Sequence, residues 1–231
     1  MTPPRLREVD VVVVGLGGLG CPDAWALRHG ARSLRLIDED RVERSNLHRQ
    51  ILFRDADLGR HKVEAAAEAL APFARVEVVA AHLAPENAAT LLGGARVIVE
   101  GTDNLPAKFL TSDTAWALQI PVVHGACAGW VGTVLPVIPG VGACYRCLFE
   151  EPPDDEAGSC VTAGVFGPVT SLTGALMAAD ALRILRGDTS HAGAVARYDG
   201  RTQRFRSTPF ASRSGCRCAT QPLAPQGDPS P

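Results

Sequence analysis

No apolar run in this sequence approaches the length of a membrane span; the longest are strand-sized. Met1–Asp10 carries two arginines and no apolar stretch of the kind a secretory leader needs, so a cytoplasmic location is expected. Excess charge is missing too. The 23 Lys and Arg against 25 Asp and Glu leave a formal −2, which gives bulk electrostatics no hold on nucleic acid or on a membrane surface. There is no internal repeat. What is present is the 46% hydrophobic, 21% charged balance of a globular chain with a sizeable core. At 231 residues it suits one large α/β domain, expected over 1–218, better than two small ones.

The β-branched run Val9–Val14 reads as a buried parallel strand ending in Gly15. Gly15-Leu16-Gly17-Gly18-Leu19-Gly20 then turns the chain into a helix to about His29, with Gly30 as its expected C-cap. Ser33–Ile37 is the next strand, closing a right-handed βαβ unit. Helix is predicted over Lys62–Leu70, Asn104–Leu118 and Gly164–Leu185, with strands at Val76–Ala80, Val97–Glu100, Val122–His124 and Trp130–Val137. Val195–Tyr198 and Gln203–Arg206 read as a closing antiparallel hairpin with Asp199-Gly200 at its turn. The fold class is therefore α/β: a Rossmann-like mixed sheet whose parallel, nucleotide-binding N-terminal half continues into an antiparallel C-terminal part. The acidic, proline-containing stretch 150–162 is expected to be a mobile loop, and 219–231 a disordered tail.

A strand followed by G-x-G-x-x-G at a helix start sets backbone N–H groups and the positive helix end around an anion. Gly15 supplies the tight turn, Gly17 and Gly18 lie where phosphate approaches, and Gly20 permits close helix packing. Asp38 stands 18 positions after Gly20, at a strand end, where a carboxylate can bind ribose hydroxyls. That much describes any dinucleotide fold. What separates ATP from NAD or FAD is charge that hydride transfer would not need. Ser45-Asn46-Leu47-His48-Arg49-Gln50 follows the ribose acid, and Lys62 opens a helix, a place where the helix dipole disfavours a cation. Asp103 follows the strand Val97–Glu100, placed to hold magnesium beside a polyphosphate. Each residue alone has a bland reading, as surface charge or helix cap. Arg49, Lys62 and Asp103 together on successive strand-end segments point to nucleotidyl transfer.

GLGGLG, the acid at Asp38, SNLHRQ, Lys62 and TDN resemble the MoeB/ThiF/HesA family, bacterial relatives of ubiquitin-activating enzymes, and the resemblance runs from about Val9 to Cys218. It implies MgATP as substrate, with Asp38 on the ribose, Ser45, Asn46, Arg49 and Lys62 on the triphosphate, and Asp103 on Mg2+ beside Asn104. It further implies adenylylation of the C-terminal carboxylate of a ubiquitin-like sulfur-carrier protein, a homodimer, and a sulfur donor enzyme as further partner. Thiamine, molybdopterin and other sulfur-containing products stay open. Such chemistry needs no catalytic His–Asp pair, because the carboxylate is already ionised; His48 reads as a structural or adenine-side residue. Family members carry a longer N-terminal arm whose arginine reaches the partner subunit's ATP site; here the nearby candidates are Arg5 and Arg7.

Five of the seven cysteines lie between Cys144 and Cys218. Cys144 and Cys147 form a C-x-x-C; Cys216 and Cys218 form a C-x-C, where the family usually has a second C-x-x-C. The alternative to Zn2+ is a redox C-x-x-C with incidental thiols. Energetics favour zinc: joining pairs this far apart costs about 4 kcal/mol of loop entropy, and structural zinc returns about 10–16 kcal/mol. Cys160 matches the family's loop cysteine, which in ThiF-like members forms a covalent link to the carrier and in MoeB-like members is dispensable. Its acidic neighbours disfavour a thiolate. Cys21 and Cys127 read as packing residues. The competing functions are activation of a different carboxylate (a peptide terminus or a modified tRNA base), an inactive scaffold partner, and an NAD-dependent dehydrogenase.

Overall fold

The computed structural model describes residues 6–150, 164–216 and 218. Arg5, Cys160, the expected loop beyond Glu150 and the tail from 219 lie outside the described residues. The strands are β1 (Val9–Val14), β2 (Ser33–Ile37), β3 (Arg75–Val79), β4 (Ala95–Glu100), β5 (Val122–Ala128), β6 (Val131–Val137), β7 (Ala194–Asp199) and β8 (Arg204–Pro209). The helices are α1 (Gly20–Leu27), α2 (Lys62–Leu70), α3 (Pro85–Leu92), α4 (Leu105–Ala117), α5 (Tyr145–Leu148) and α6 (Gly167–Leu185). The eight strands form one sheet in the order β3-β2-β1-β4-β5-β6-β7-β8. β3 to β5 pair in parallel through β2, β1 and β4; β6, β7 and β8 join antiparallel. The mixed sheet expected from the sequence is the one observed.

β1 and β2 are buried along their whole length, β1 as a nearly continuous β-branched run, whereas β3 at the edge of the sheet is partly exposed. Val11, Val12 and Val13 are fully buried, Val11 and Val13 in one core cluster and Val12 in a second. Each such side chain contributes about 1.5–3 kcal/mol. The order reverses on either side of β1, between β2 and β4, and at that switch point open α/β sheets bind ligands outside their C-terminal strand ends. No helix among the described residues is long and apolar enough to cross a membrane.

Several boundaries differ from expectation, each for a local reason. α1 ends at Leu27 with Arg28 as its C-cap. Gly30 instead makes room for α6, since a Cβ there would sit 2.5 Å from Leu182. α3 was not anticipated; Pro85 starts it, and the Asn87 side chain accepts the Ala84 N–H at 2.9 Å. β5 continues to Ala128, past the glycine at 125, because β6 pairs with it along its whole length. The long helix begins at Gly167, not Gly164, whose φ of +62° lies outside the helical region. In the closing hairpin Asp199 belongs to β7, and its carboxylate accepts the N–H groups of Arg201 and Thr202 across a longer turn.

α1 and α6 cross closely: a Cβ at Gly174 would come within 2.4 Å of the Leu19 carbonyl oxygen. Under this crossing Asp23 is fully buried, and neither carboxylate oxygen has a hydrogen-bond partner among the described residues. Burial pushes its pKa well above the usual 3.8. A raised carboxyl retains its proton in the fold at pH values where the unfolded chain has lost it, so stability falls as pH climbs above about 4. An orphaned buried polar group costs about 1–3 kcal/mol besides. Asp23→Ala is therefore expected to raise stability at pH 8 in denaturant titrations by about 1–3 kcal/mol, with the gain shrinking toward pH 4.

Candidate nucleotide site and metal centre

A cavity of about 630 Å³ opens at the switch point. Gly15 (φ +86°) makes the turn out of β1, a conformation open to glycine at little cost. A Cβ at Gly17 would meet nothing within 4 Å, whereas one at Gly20 would lie 1.8 Å from the Gly15 carbonyl oxygen. Gly20 thus serves the loop's own closure more than packing of helix on sheet.

Two carboxylates hold the loops around the cavity. Beyond β2, Asp38 accepts the Leu16 N–H at 2.6 Å and the Asp40 N–H at 2.8 Å. Burial raises its pKa, an effect that Lys62 opposes. At the end of β4, fully buried Glu100 accepts both the N–H of Thr102 (2.8 Å) and its hydroxyl. Its other oxygen takes Lys108 Nζ at 2.7 Å and His124 Nδ1 at 3.2 Å. Burial alone would raise this carboxyl, but Lys108 and His124 more than offset it and bring it to about 2. Each acid thus has a buried lysine from the helix that follows. Lys62 Nζ is 2.7 Å from Asp40 and 4.0 Å from Asp38; Lys108 Nζ bonds Glu100 and also the Gly125 carbonyl at 2.6 Å.

Of the residues picked from sequence, Gly15, Gly17, Gly18, Asp38, Asn46, His48, Arg49, Lys62, Asp103 and Asn104 all line the cavity. Gly20, Ser45 and Leu47 do not: the Ser45 hydroxyl donates to Glu43, and Leu47 packs against the core. Arg49 has no carboxylate partner among the described residues; it donates to Asn46 Oδ1 at 2.7 Å and lies 3.3 Å from His48 Nε2. Lys62 is buried, which removes the bland reading of it as a solvated surface charge. Its pairing with Asp40 compensates locally for the unfavourable dipole. Asn104 caps α4 through Oδ1, 2.7 Å from the Ala107 N–H, and Asp103 is exposed at the cavity rim. Arg7 sits before β1, at the opposite end of the sheet from this cavity. Glu100, Lys108 and His124 were missed from sequence. The signal for Lys108 was a lysine in the first turn of the helix that follows a strand ending in an acid.

The four cysteines converge. Their sulfurs lie within 4.8 Å of one another, with Cys144–Cys216 at 3.4 Å, Cys144–Cys147 at 3.9 Å and Cys147–Cys218 at 3.2 Å. Tetrahedral zinc bound through about 2.3 Å Zn–S bonds would space its sulfurs by about 3.8 Å, so the donor set fits. Burial opposes ionisation of Cys147, yet the Arg213 N–H and Cys218 bring its thiol down to about 7. The C-x-C spacing is therefore no obstacle to closing the cluster. Cys21 is buried with its thiol pushed up to about 12 by desolvation, as a packing residue should be. Cys127 packs against the core cluster as expected, but it is only half-buried and also lines the cavity.

The glycine loop, the switch-point cavity and its converging lysines and arginine define a nucleotide-binding α/β domain built for phosphate chemistry. The sequence matches the ThiF family over residues 4–219, and the chain belongs to that family. It is 39% identical over 230 residues to a sulfur carrier protein adenylyltransferase of Thermus thermophilus, covering 94% of this chain and 85% of that one. It is 37% identical over 219 residues to a SAMP-activating enzyme E1 of Haloferax volcanii, covering 92% and 80%. Against the adenylyltransferase and sulfurtransferase MOCS3 of Drosophila sechellia it is 39% identical and spans about half (50%) of that longer protein. Among solved structures, E. coli MccB with ATP superposes with a TM-score of 0.80 at 20% identity, over 94% of this chain and 68% of the other, a likeness of fold.

The two glycines divide by what their Cβ would meet. Gly20→Ala is expected to destabilise the chain by about 1–3 kcal/mol through overpacking. Gly17→Ala should shift stability by no more than about 0.5 kcal/mol and yet weaken nucleotide binding; thermal melts with and without ATP read both.

Proposed function

We propose that this chain is an ATP-dependent adenylyltransferase that transfers AMP to the C-terminal carboxylate of a ubiquitin-like sulfur-carrier protein. The observation that carries the reading is the convergence of Arg49, free of any carboxylate partner among the described residues, and buried Lys62 on one cavity with the glycine loop. Membership of the ThiF family and the names of the relatives support the same activity.

In this reading the triphosphate lies against the N–H groups of the Gly17–Gly18 turn and the N-terminal end of α1, with the ribose toward Asp38. A carboxylate oxygen of the carrier attacks the α-phosphorus, the bond from that phosphorus to the bridging oxygen breaks, and pyrophosphate leaves with its electron pair. No proton moves. Negative charge accumulates on the phosphoryl oxygens and the leaving group, where Arg49 and Lys62 offset it in a partly dehydrated site. Lys62 exchanges its Asp40 partner for phosphate. Magnesium, when bound, adds positive charge to the phosphates, and the rim carboxylate of Asp103 is the residue to hold it.

The carrier's route is an open sheet face. Ala126 lines the cavity, and across the ladder it pairs with Thr133, which pairs with Arg197, which pairs with Arg206. Ala126, Arg197 and Arg206 are exposed, so a partner seated on these strands could thread an extended tail inward. The same reading has the chain act as a homodimer, with zinc as a structural ion held by Cys144, Cys147, Cys216 and Cys218. Cys160 takes no part in adenylylation.

Carrier-dependent exchange of labelled pyrophosphate into ATP tests the proposal. Arg49→Ala should lower exchange by about 10²–10³, the effect of removing one donor to a developing oxyanion, while Cys160→Ala leaves it intact. Exchange that survives Arg49→Ala at the wild-type rate would remove Arg49 from the phosphate site, and exchange independent of the carrier would point to another carboxylate.

A further inference from the structure

The four-cysteine cluster is not isolated from the cavity. Cys144 and Cys147 bracket Tyr145, and the Tyr145 ring lies on His124 (centroids 4.4 Å) and edge-on to Phe109 (5.2 Å). His124 reaches Glu100, and Glu100 holds both Thr102 and Lys108. Phe109 and Lys108 are neighbours on α4, the helix whose N-cap is Asn104, next to Asp103 at the cavity rim. A second tie runs from the same cluster to the same helix: the Arg146 guanidinium grips Asp113 through three contacts of 2.8–3.1 Å. Tyr145, His124, Glu100, Lys108 and Phe109 are all buried, and the contacts to His124 and to Phe109 both start from Tyr145.

We propose that the metal centre and the nucleotide cavity are energetically linked through Tyr145, which the cysteine ligands hold against His124 and Phe109, so that metal retention and nucleotide binding strengthen each other. This rests on the cavity taking ATP, as argued above. The cluster fixes α5; α5 presses Tyr145 onto the Glu100 network and onto α4; and these position the Thr102–Asp103–Asn104 loop that the nucleotide's phosphates and metal would meet. Without the ligand cage α5 keeps the Arg146–Asp113 tie alone, and Tyr145 is held less firmly against His124 and Phe109. Tyr145 and Glu100 are positioning residues in this scheme and touch no reacting atom.

Linkage is reciprocal: whatever factor zinc adds to nucleotide affinity, nucleotide adds to zinc affinity. The test is competition for zinc between the full chain and a chromophoric chelator, run with and without saturating magnesium and a non-hydrolysable ATP analogue. Calorimetry monitors binding of the analogue itself. In the wild type the analogue should tighten zinc binding by about fivefold or more. Tyr145→Phe, which keeps the ring, should preserve that ratio, and Tyr145→Ala should bring it to about one. His124→Ala, farther from the cysteines, should lower the ratio with zinc still bound, which keeps the idea testable if Tyr145→Ala fails to fold. A wild-type ratio of one with both ligands bound overturns the linkage alone. A wild-type ratio preserved in Tyr145→Ala, or in His124→Ala where Tyr145→Ala does not fold, overturns the route through Tyr145. A chain that takes zinc but no analogue overturns the nucleotide reading and the linkage with it.

Discussion

Two carboxylates, half-buried Asp38 beyond β2 and fully buried Glu100 at the end of β4, hold the site together. Asp38 and Glu100 flank β1 on either side, and each uses an oxygen to fix a backbone N–H of the loop beside it: Leu16 in the glycine turn, Thr102 in the loop before α4. A carboxylate in that position is costly without a cation. The following helix supplies one in both cases, Lys62 from α2 and Lys108 from α4. The result is a cavity lined by both lysines, with walls braced by internal ion pairs.

The duplication also separates two kinds of lysine. Lys108 is saturated by Glu100 and the Gly125 carbonyl, so its work is structural support of the β4–α4 loop. Lys62 is closer to Asp40, a residue whose carboxylate is well exposed, than to Asp38. An exposed acid is well solvated on its own, so parting it from Lys62 costs little. A polyanion arriving in the cavity can take the lysine over, which a buried partner such as Glu100 would not allow.

Much of this was legible in the sequence because it depends on local pattern. The β-branched run before Gly15, the spacing to Asp38 and the strand-end position of Asp103 are short-range signals, and the sheet order and cavity lining agree with them. The extent of β5 was not legible, because what lengthens it is pairing with β6 rather than its own Gly-Ala-Cys-Ala composition. Nor was the Glu100 hub, which joins residues on three elements that only the fold brings together; Glu100 at a strand end looked like the last residue of a run. The convergence of C-x-x-C with C-x-C was predicted, but the tie from Tyr145 to the cavity depends on ring geometry that spacing does not encode. Ser45 and Leu47 lie differently from their motif neighbours, Ser45 donating to Glu43 and Leu47 packing on the core, a division that the linear motif does not encode.

The central claim is that the glycine turn, Arg49 and Lys62 together receive a triphosphate. A crystal structure with magnesium and a non-hydrolysable ATP analogue tests it most directly. The account predicts phosphates on the Gly17–Gly18 backbone, Lys62 Nζ moved from Asp40 to a phosphate oxygen, and the Arg49 guanidinium within hydrogen-bond distance of the chain of phosphates. Phosphates bound elsewhere, with Lys62 still on Asp40 and Arg49 still on Asn46, would contradict it.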